Sequence, residues 1–312
     1  MIAFWIALGC LFALFVAVLV TSYICFCRIF YVKNKEKFLK NEDELPAGKV
    51  YEAHREGMLS WMRLVRRLPY TDFSIQSHDG LTLWGRYYET TPGAPIEIML
   101  HGYRGHAERE LSAGVLRARA LNHNALLLNL RASERSGGNV VTFGVLEKKD
   151  TLLWAEFVAK HFGRDVPIIL TGLSMGAATV MMCAGEKLPE NVIGVLADCG
   201  YTSAKDIIQK VIRERGLPAT LLYPFARLGA RIFGHFDPEE DAPIRALTHA
   251  TVPVFFVHGD SDDFVPHTMS VANYEACSTK KRLLIIESAG HGLAYPIRPD
   301  EYISAMRDFF TE

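Results

Sequence analysis

Between Met1 and Cys27 the chain contains no Asp, Glu, Lys or Arg. An uncharged run of this length exceeds the roughly 20 apolar residues that cross a bilayer, and it excludes an ordinary solvent-facing start to a soluble domain. The leading "MIAFW" also lacks any basic side chain, so the run does not have the basic flank, short apolar core and small-residue cleavage site of a removed secretion signal. The competing readings are a buried core helix and a lipoprotein-like site at "ALGC", which lacks the basic flank such a site needs. The expectation is one transmembrane helix over residues 1–27.

Excess positive charge is missing as well. A net charge of -1 gives no footprint for nucleic acid, whose binding relies on many phosphate contacts by Lys and Arg. Disulfide spacing is absent: Cys10, Cys25 and Cys27 fall in the apolar run, and the odd remainder, Cys183, Cys199 and Cys277, is scattered without disulfide-like or metal-like intervals. Reduced thiols fit the cytosol. Asp260, Asp262 and Asp263 cluster, but their spacing misses the calcium-loop pattern. No metal and no cofactor are expected.

What is present begins with positive charge just after the span: Arg28, Lys33, Lys35, Lys37 and Lys40. Cytoplasmic flanks carry such clusters, which places the amino terminus outside and the large remainder in the cytoplasm. Residues 28–69 read as a basic juxtamembrane linker with an amphipathic helix. Met58, Leu59, Trp61, Met62 and Val65 can share one side of that helix, with Arg55, Arg63, Arg66 and Arg67 over much of the other. It either lies on anionic lipid or packs on the following domain with its charged face in water.

The remaining 243 or so residues, about 70–312, are ample for one substantial core. Eight short apolar runs, "FSIQS", "LTLWGRYYE", "IEIMLHG", "ALLLNLR", "PIILTG", "VIGVLADC", "PVFFVHG" and "RLLIIES", alternate with helical patterns. Asp79-Gly80 between the first two is a hairpin signal. The later runs are too uniformly apolar for a half-exposed sheet, which argues for α/β architecture: a mostly parallel sheet covered by helices on both faces.

Within that frame "TGLSMGAATV" puts Ser174 between a strand and a helix, on a glycine-flanked turn. This is the context of a nucleophile elbow. A serine hydroxyl needs a base, and the base needs a carboxylate to fix its tautomer. His291, in "SAGHGLAY" just beyond the last strand, has the expected chain order and position. The acid is Asp262, with Asp198 and the neighbouring Asp260 and Asp263 in the same order as alternatives. Donors for a developing oxyanion are the backbone N–H groups of Met175, at the start of the elbow helix, and of Tyr103 in "HGYRGH". Arg104 beside it either meets an anionic substrate group or is simply solvated.

Together "HGYRG", "GLSMG", "HGDSDDFVP" and "AGHG" closely resemble the α/β-hydrolase superfamily, especially bacterial membrane-anchored serine hydrolases related to the acylglycerol lipase and prolyl-oligopeptidase-like branches. The resemblance covers about residues 70–312. It implies Ser174 as nucleophile, His291 as base, Asp262 as acid because it occupies the aspartate of HGxxDxxVP, and Tyr103 and Met175 as oxyanion donors. Relatives commonly read D-x-R-x-x-G-x-S-x-G after the fourth strand, where this chain has "NLRASERSGG", with Asn129 for the aspartate and Glu134 for the first glycine. That leaves catalysis intact and puts inherited substrate specificity in doubt. The resemblance also implies that the insertion at about 203–250 forms a helical cap, for which Leu221, Leu222, Tyr223, Phe225, Leu228, Ile232 and Phe233 supply either an apolar underside or the cap's own core.

The function expected is that of a membrane-anchored serine hydrolase acting on carboxylic esters of small acyl or amphiphilic substrates through an acyl-enzyme. The same triad serves a peptidase, thioesterase or acyltransferase, separated by whether amines or alcohols outcompete water in deacylation. From another class come a non-catalytic binding module, in which Ser174 is silent, and a ligand receptor, which would show a burst without steady turnover.

Overall fold

In the computed structural model, which describes residues 1–33, 35, 45 and 49–311, all eight apolar runs form strands. They are β1 (Thr71–Gln76), β2 (Thr82–Tyr88), β3 (Ile96–Leu100), β4 (Asn124–Asn129), β5 (Ile168–Leu173), β6 (Val192–Asp198), β7 (Val254–Gly259) and β8 (Lys281–Ile286). They join one sheet in the order β1-β2-β4-β3-β5-β6-β7-β8. β1 and β2 form an antiparallel hairpin, β2 runs antiparallel to β4, and every later pairing is parallel. The turn at Asp79-Gly80 closes as its residues require: Ser77 N–H bonds the Leu81 carbonyl at 2.9 Å, and Gly80 takes a positive φ of 80°.

Among the described residues twelve α-helices accompany the strands: α1 (Ile2–Ile29), α2 (Lys49–Glu52), α3 (Arg55–Arg66), α4 (Ala107–Ala120), α5 (Val145–Phe162), α6 (Met175–Ala184), α7 (Ala204–Glu214), α8 (Ala219–Phe233), α9 (Pro243–Ala246), α10 (Thr268–Ala276), α11 (Ala294–Ile297) and α12 (Pro299–Thr311). The period-2 alternation of side chains divides the core between two faces. Val254 and Phe256 of β7 pack into the cluster containing Trp154 of α5 and Val180 of α6, while Phe255 and Val257 join Met306 and Phe309 of α12. Met99 of β3 packs with Leu111 and Val115 of α4. Strands β3 to β7 are thus buried on both sides, which is why they read as continuous apolar runs.

The amphipathic segment after the span resolves into α3, whose Leu59, Met62 and Val65 are buried against α4 and its surroundings. Arg66 pairs with Glu108 on α4. The packed reading is the one realised here. Of the basic cluster after the span, Lys37 and Lys40 lie outside the described residues.

α1 is 28 residues long, carries no charge before Arg28 in its last turn, and is long enough to cross a membrane. Its first sixteen residues are exposed, but its final turns are built into the fold. Phe26 and Phe30 are buried, with Phe26 against Phe233 of α8 and Phe30 against Phe143 and Phe236 at ring separations of 5.9, 5.7 and 5.3 Å. Gly229 of α8 permits this crossing, because a Cβ there would run into the Ser22 carbonyl. The last carbonyls of a helix lack internal partners, and here the turn after β3 supplies them. Tyr103 Oη donates to the Ile29 carbonyl at 2.5 Å, and Arg104 Nη2 donates to the carbonyls of Arg28 and Tyr31 at 3.1 and 2.8 Å. Arg104 is therefore neither simply solvated nor directed at a substrate: it caps α1.

The segment between β6 and β7 carries α7, α8 and α9. Its inner surface differs from the expectation. Of the seven apolar residues named on α8, Leu222 faces the cavity beside Ser174, alongside Ile207, Ile208, Val211 and Ile212 of α7. The reason is α1: α8 turns Gly229 and Phe233 toward that helix, while Leu221 and Ile232 stay exposed.

Candidate active site

The turn between β5 and α6 is fixed by steric necessity. A Cβ on Gly172 would collide with the backbone of Gly176 and Ala177, and one on Gly176 with the Leu100 carbonyl of β3. Only glycine lets the strand, the turn and the neighbouring strand approach this closely. Ser174, between them, has φ 56° and ψ -112°, a sparsely populated conformation that costs about 1–3 kcal/mol and persists only where the surroundings enforce it. Gly176→Ala is expected to destabilise the protein by about 3 kcal/mol, the upper end of overpacking costs, because backbone rather than a side-chain tip must yield. Urea unfolding checks it, and a loss under about 1 kcal/mol would show that the elbow relaxes easily.

The strained turn aims the Ser174 hydroxyl at His291. Ser174 Oγ lies 3.0 Å from His291 Nε2, and His291 Nδ1 lies 2.7 Å from Asp262 Oδ2. The three groups come from the ends of β5, β7 and β8, although they are separated by up to 117 positions in sequence. Asp262 is buried, and burial by itself pushes its carboxyl up. Hydrogen bonds from His258 and His291 and from the Val265 amide outweigh this and hold the carboxyl well below the usual carboxylate range. An ionised Asp262 keeps Nδ1 of His291 as the donor and leaves Nε2 to accept the serine proton.

The other aspartates have different partners. Asp198 Oδ2 accepts from Tyr302 Oη at 3.0 Å, and burial raises its carboxyl. Asp260 Oδ1 accepts from Ser261 Oγ and the Ser288 amide, fixing the loop before His291. The side chain hydrogen-bonded to His291 is that of Asp262.

His258 is a component that the sequence reading treated only as part of a turn motif. It is fully buried, and its Nε2 stands 3.1 Å from Asp262 Oδ2 and 2.8 Å from the Val265 carbonyl, while Nδ1 meets Ser270 Oγ at 2.6 Å. It meets the same carboxylate oxygen of Asp262 as His291 does. The one-dimensional signal, a histidine closing a buried strand four residues before the acid, was present in "VHGDSDD".

On the other side of Ser174 stands the turn after β3. Gly102 lies against the Ser174 Cβ, and its N–H is held by Glu110 Oε2 of α4 at 2.7 Å. His101, buried and kept neutral by burial, accepts from the Leu130 amide and ties this turn to the end of β4. The N–H groups of Tyr103 and Met175 have no acceptor among the described residues. Beside them, Phe264 stacks edge-on to His291, and Tyr51 Oη of α2 donates to the His291 carbonyl at 3.0 Å.

The departure at "NLRASERSGG" also acquires a structure. Glu134 accepts from the Asn129 amide at 3.1 Å and from the Ala107 N–H at 2.7 Å, so it caps the amino end of α4. Burial pushes its carboxyl up to about 7. The loop thus positions the helix that carries Glu110.

Cys199, Asp262 and His291 bring potential ligand atoms within 4.8 Å of one another. Burial pushes the Cys199 thiol well above its usual range, whereas a metal ligand must be a thiolate. The set is better suited to proton transfer between His291 and its neighbours than to ligation.

No family model matches the chain. Over 190 residues it is 26% identical to the uncharacterised protein YqkD of Bacillus subtilis, a match that spans 61% of this chain and 62% of that protein's length. Among solved structures, the esterase Pf2001 of Pyrococcus furiosus is similar over 78% of this chain and 92% of its own, at a TM-score of 0.62 and 20% identity. A membrane phospholipase A described as a bacterial virulence factor is similar over 99% of this chain and 98% of its own, at a TM-score of 0.57 and 16% identity. The chain has the α/β-hydrolase fold.

Proposed function

We propose that this chain is a membrane-anchored serine hydrolase that cleaves carboxylic esters through an acyl-enzyme. The observation that carries the reading is the hydrogen-bonded sequence from Ser174 through His291 to Asp262 at 3.0 and 2.7 Å, on a strained, glycine-enforced elbow. Esterases among the structural neighbours are consistent with it.

In the proposed mechanism His291 Nε2 takes the Ser174 proton as Oγ attacks the ester carbonyl carbon. The carbonyl oxygen, now negative, accepts from the N–H groups of Met175 and Tyr103, each such donor contributing about a hundredfold to a thousandfold. The tetrahedral species collapses, the C–O bond to the alcohol breaks, and the leaving alkoxide takes the proton from His291. Water then repeats the sequence: His291 removes its proton, hydroxide adds to the acyl carbon, and Ser174 Oγ leaves with the proton returned. Asp262 stays ionised throughout and stabilises the imidazolium. α1 serves as the anchor, with the domain on the cytoplasmic side as the basic cluster from Arg28 to Lys40 implies.

Acyl groups suit the cavity beside Ser174, whose volume is about 490 Å³ and whose wall is mainly apolar. Such a site rewards chain length. At about 0.8 kcal/mol per buried methylene, the four methylenes that separate a p-nitrophenyl octanoate from a butyrate are worth about 3 kcal/mol. The expected result is a kcat/KM about 100-fold higher for the octanoate. A flat profile, or activity confined to peptides or thioesters, would contradict the ester reading.

A further inference from the structure

The cavity beside Ser174 is closed by the membrane helix as well as by the cap. Ile24, Cys25 and Ile29 of α1 form one wall of it, opposite Ile207, Ile208 and Ile212 of α7. Ile24 is itself 53% exposed while lining the cavity, so the space communicates with the outside along α1.

The length of α1 fixes where that opening lies. Its 28 residues rise about 42 Å at 1.5 Å each, against a hydrocarbon thickness of about 30 Å. The surplus of about 12 Å corresponds to the last eight or so residues. The cavity-lining positions of α1 begin at Thr21 and end at Ile29, and the continuously exposed stretch, which ends at Ala17, lies before them. The opening therefore stands at the level of the lipid head groups, on the side of the membrane where the domain sits.

The charge lining the cavity is of one sign. Arg28 and Arg215 line it, and no Asp or Glu is among the lining residues. Among the described residues neither guanidinium has a hydrogen bond or ion pair, in contrast to Arg104, which is committed to the end of α1. Arg215 is also near enough to the Tyr103 phenol to act on it electrostatically.

Resting on the ester-hydrolase reading, we propose that the substrate is a bilayer-resident acyl ester with an anionic head group. It enters alongside α1, its acyl chain lies against the α1 and α7 wall, and its head group is held by Arg28 and Arg215. α1 is in this account a part of the substrate site, and the membrane is the substrate's source.

The test uses the full chain in phosphatidylcholine vesicles doped with 1-palmitoyl lysophosphatidylglycerol or 1-palmitoyl lysophosphatidylcholine, following fatty-acid release. The expected kcat/KM is about tenfold higher for the anionic lipid, the discrimination worth one or two charge-assisted hydrogen bonds at a partly exposed site. In the Arg28→Gln/Arg215→Gln variant the ratio should fall to about one, and the corresponding double lysine variant should restore most of it. Ile24→Trp, which fills the α1 wall, should shift the preferred acyl chain to a shorter one. Fluorophosphonate labelling of Ser174 in each variant reports that the site remains folded. A wild-type ratio near one, or a ratio unchanged in a labelled glutamine variant, would overturn the head-group assignment. Equal turnover of a short-chain anionic ester free in solution and of the bilayer lipid would overturn the membrane as source. A wild type that is neither labelled nor active on p-nitrophenyl butyrate would instead sink the hydrolase reading on which the proposal rests.

Discussion

Ser174→Ala is expected to lower kcat on any ester substrate by about 10⁵-fold to 10⁶-fold, with the residual rate coming from binding and the oxyanion donors. The reasoning is geometric. The hydroxyl is the atom 3.0 Å from His291 Nε2, and alanine removes the nucleophile without disturbing the turn. Stability should change by less than about 1 kcal/mol, because a single partially solvated hydrogen bond is lost and no cavity larger than a hydroxyl is made. Because the groups act as a unit, His291→Ala should cost nearly as much, and the double variant little more than either. Single-turnover and steady-state rates against an octanoate ester check this, and an alanine variant that keeps more than about 1% of kcat would contradict the assignment.

Asp262→Asn should be nearly as severe, at about 10⁴-fold in kcat. An amide facing His291 Nδ1 at 2.7 Å favours the wrong tautomer, with Nε2 protonated and unable to accept from Ser174. It also withdraws the carboxylate oxygen that His258 shares with His291. The decisive comparison is Asp198→Asn. That carboxyl is raised by burial and bonded to Tyr302, so a neutral isostere should leave kcat within about tenfold. The two variants also differ in stability against pH. Asp262 titrates lower in the folded protein than in the unfolded chain. Its stabilising contribution is therefore present above the unfolded value of about 3.9 and lost as pH falls through the lower folded value. The Asp262→Asn stability deficit should accordingly be full at neutral pH and shrink in acid. If Asp198→Asn proved the more damaging to kcat, the acid would have been assigned to the wrong strand end.

Much of this was legible before any coordinates. The central strands β3 to β7 announced themselves because strands buried on both faces carry no polar alternation, and the elbow because Gly172 and Gly176 flank Ser174 between a strand and a helix. Asp262 could be preferred over Asp198, but the preference became a distance only when β7 and β8 placed it beside His291. What stayed hidden depended on α1. A run of apolar residues predicts a span, yet nothing in its composition says that its last turns will pack on α8 and be capped by Tyr103 and Arg104. For the same reason the apolar side of α8 read as either a pocket lining or the cap's own core, when its partner across Gly229 was α1. His258 was overlooked because a buried histidine bonded on both nitrogens looks, in sequence, like any residue of a strand-to-turn motif. Glu134 departs from the family pattern in sequence, and only the folded loop shows it capping α4.

The central claim is that Ser174 is an activated nucleophile. Its most direct test is to treat the detergent-solubilised full chain with a fluorophosphonate and locate the adduct by peptide mass spectrometry. The account predicts a single stoichiometric adduct on the peptide containing Ser174, abolished by His291→Ala. A folded protein that takes no label, or takes it at another serine, would contradict it.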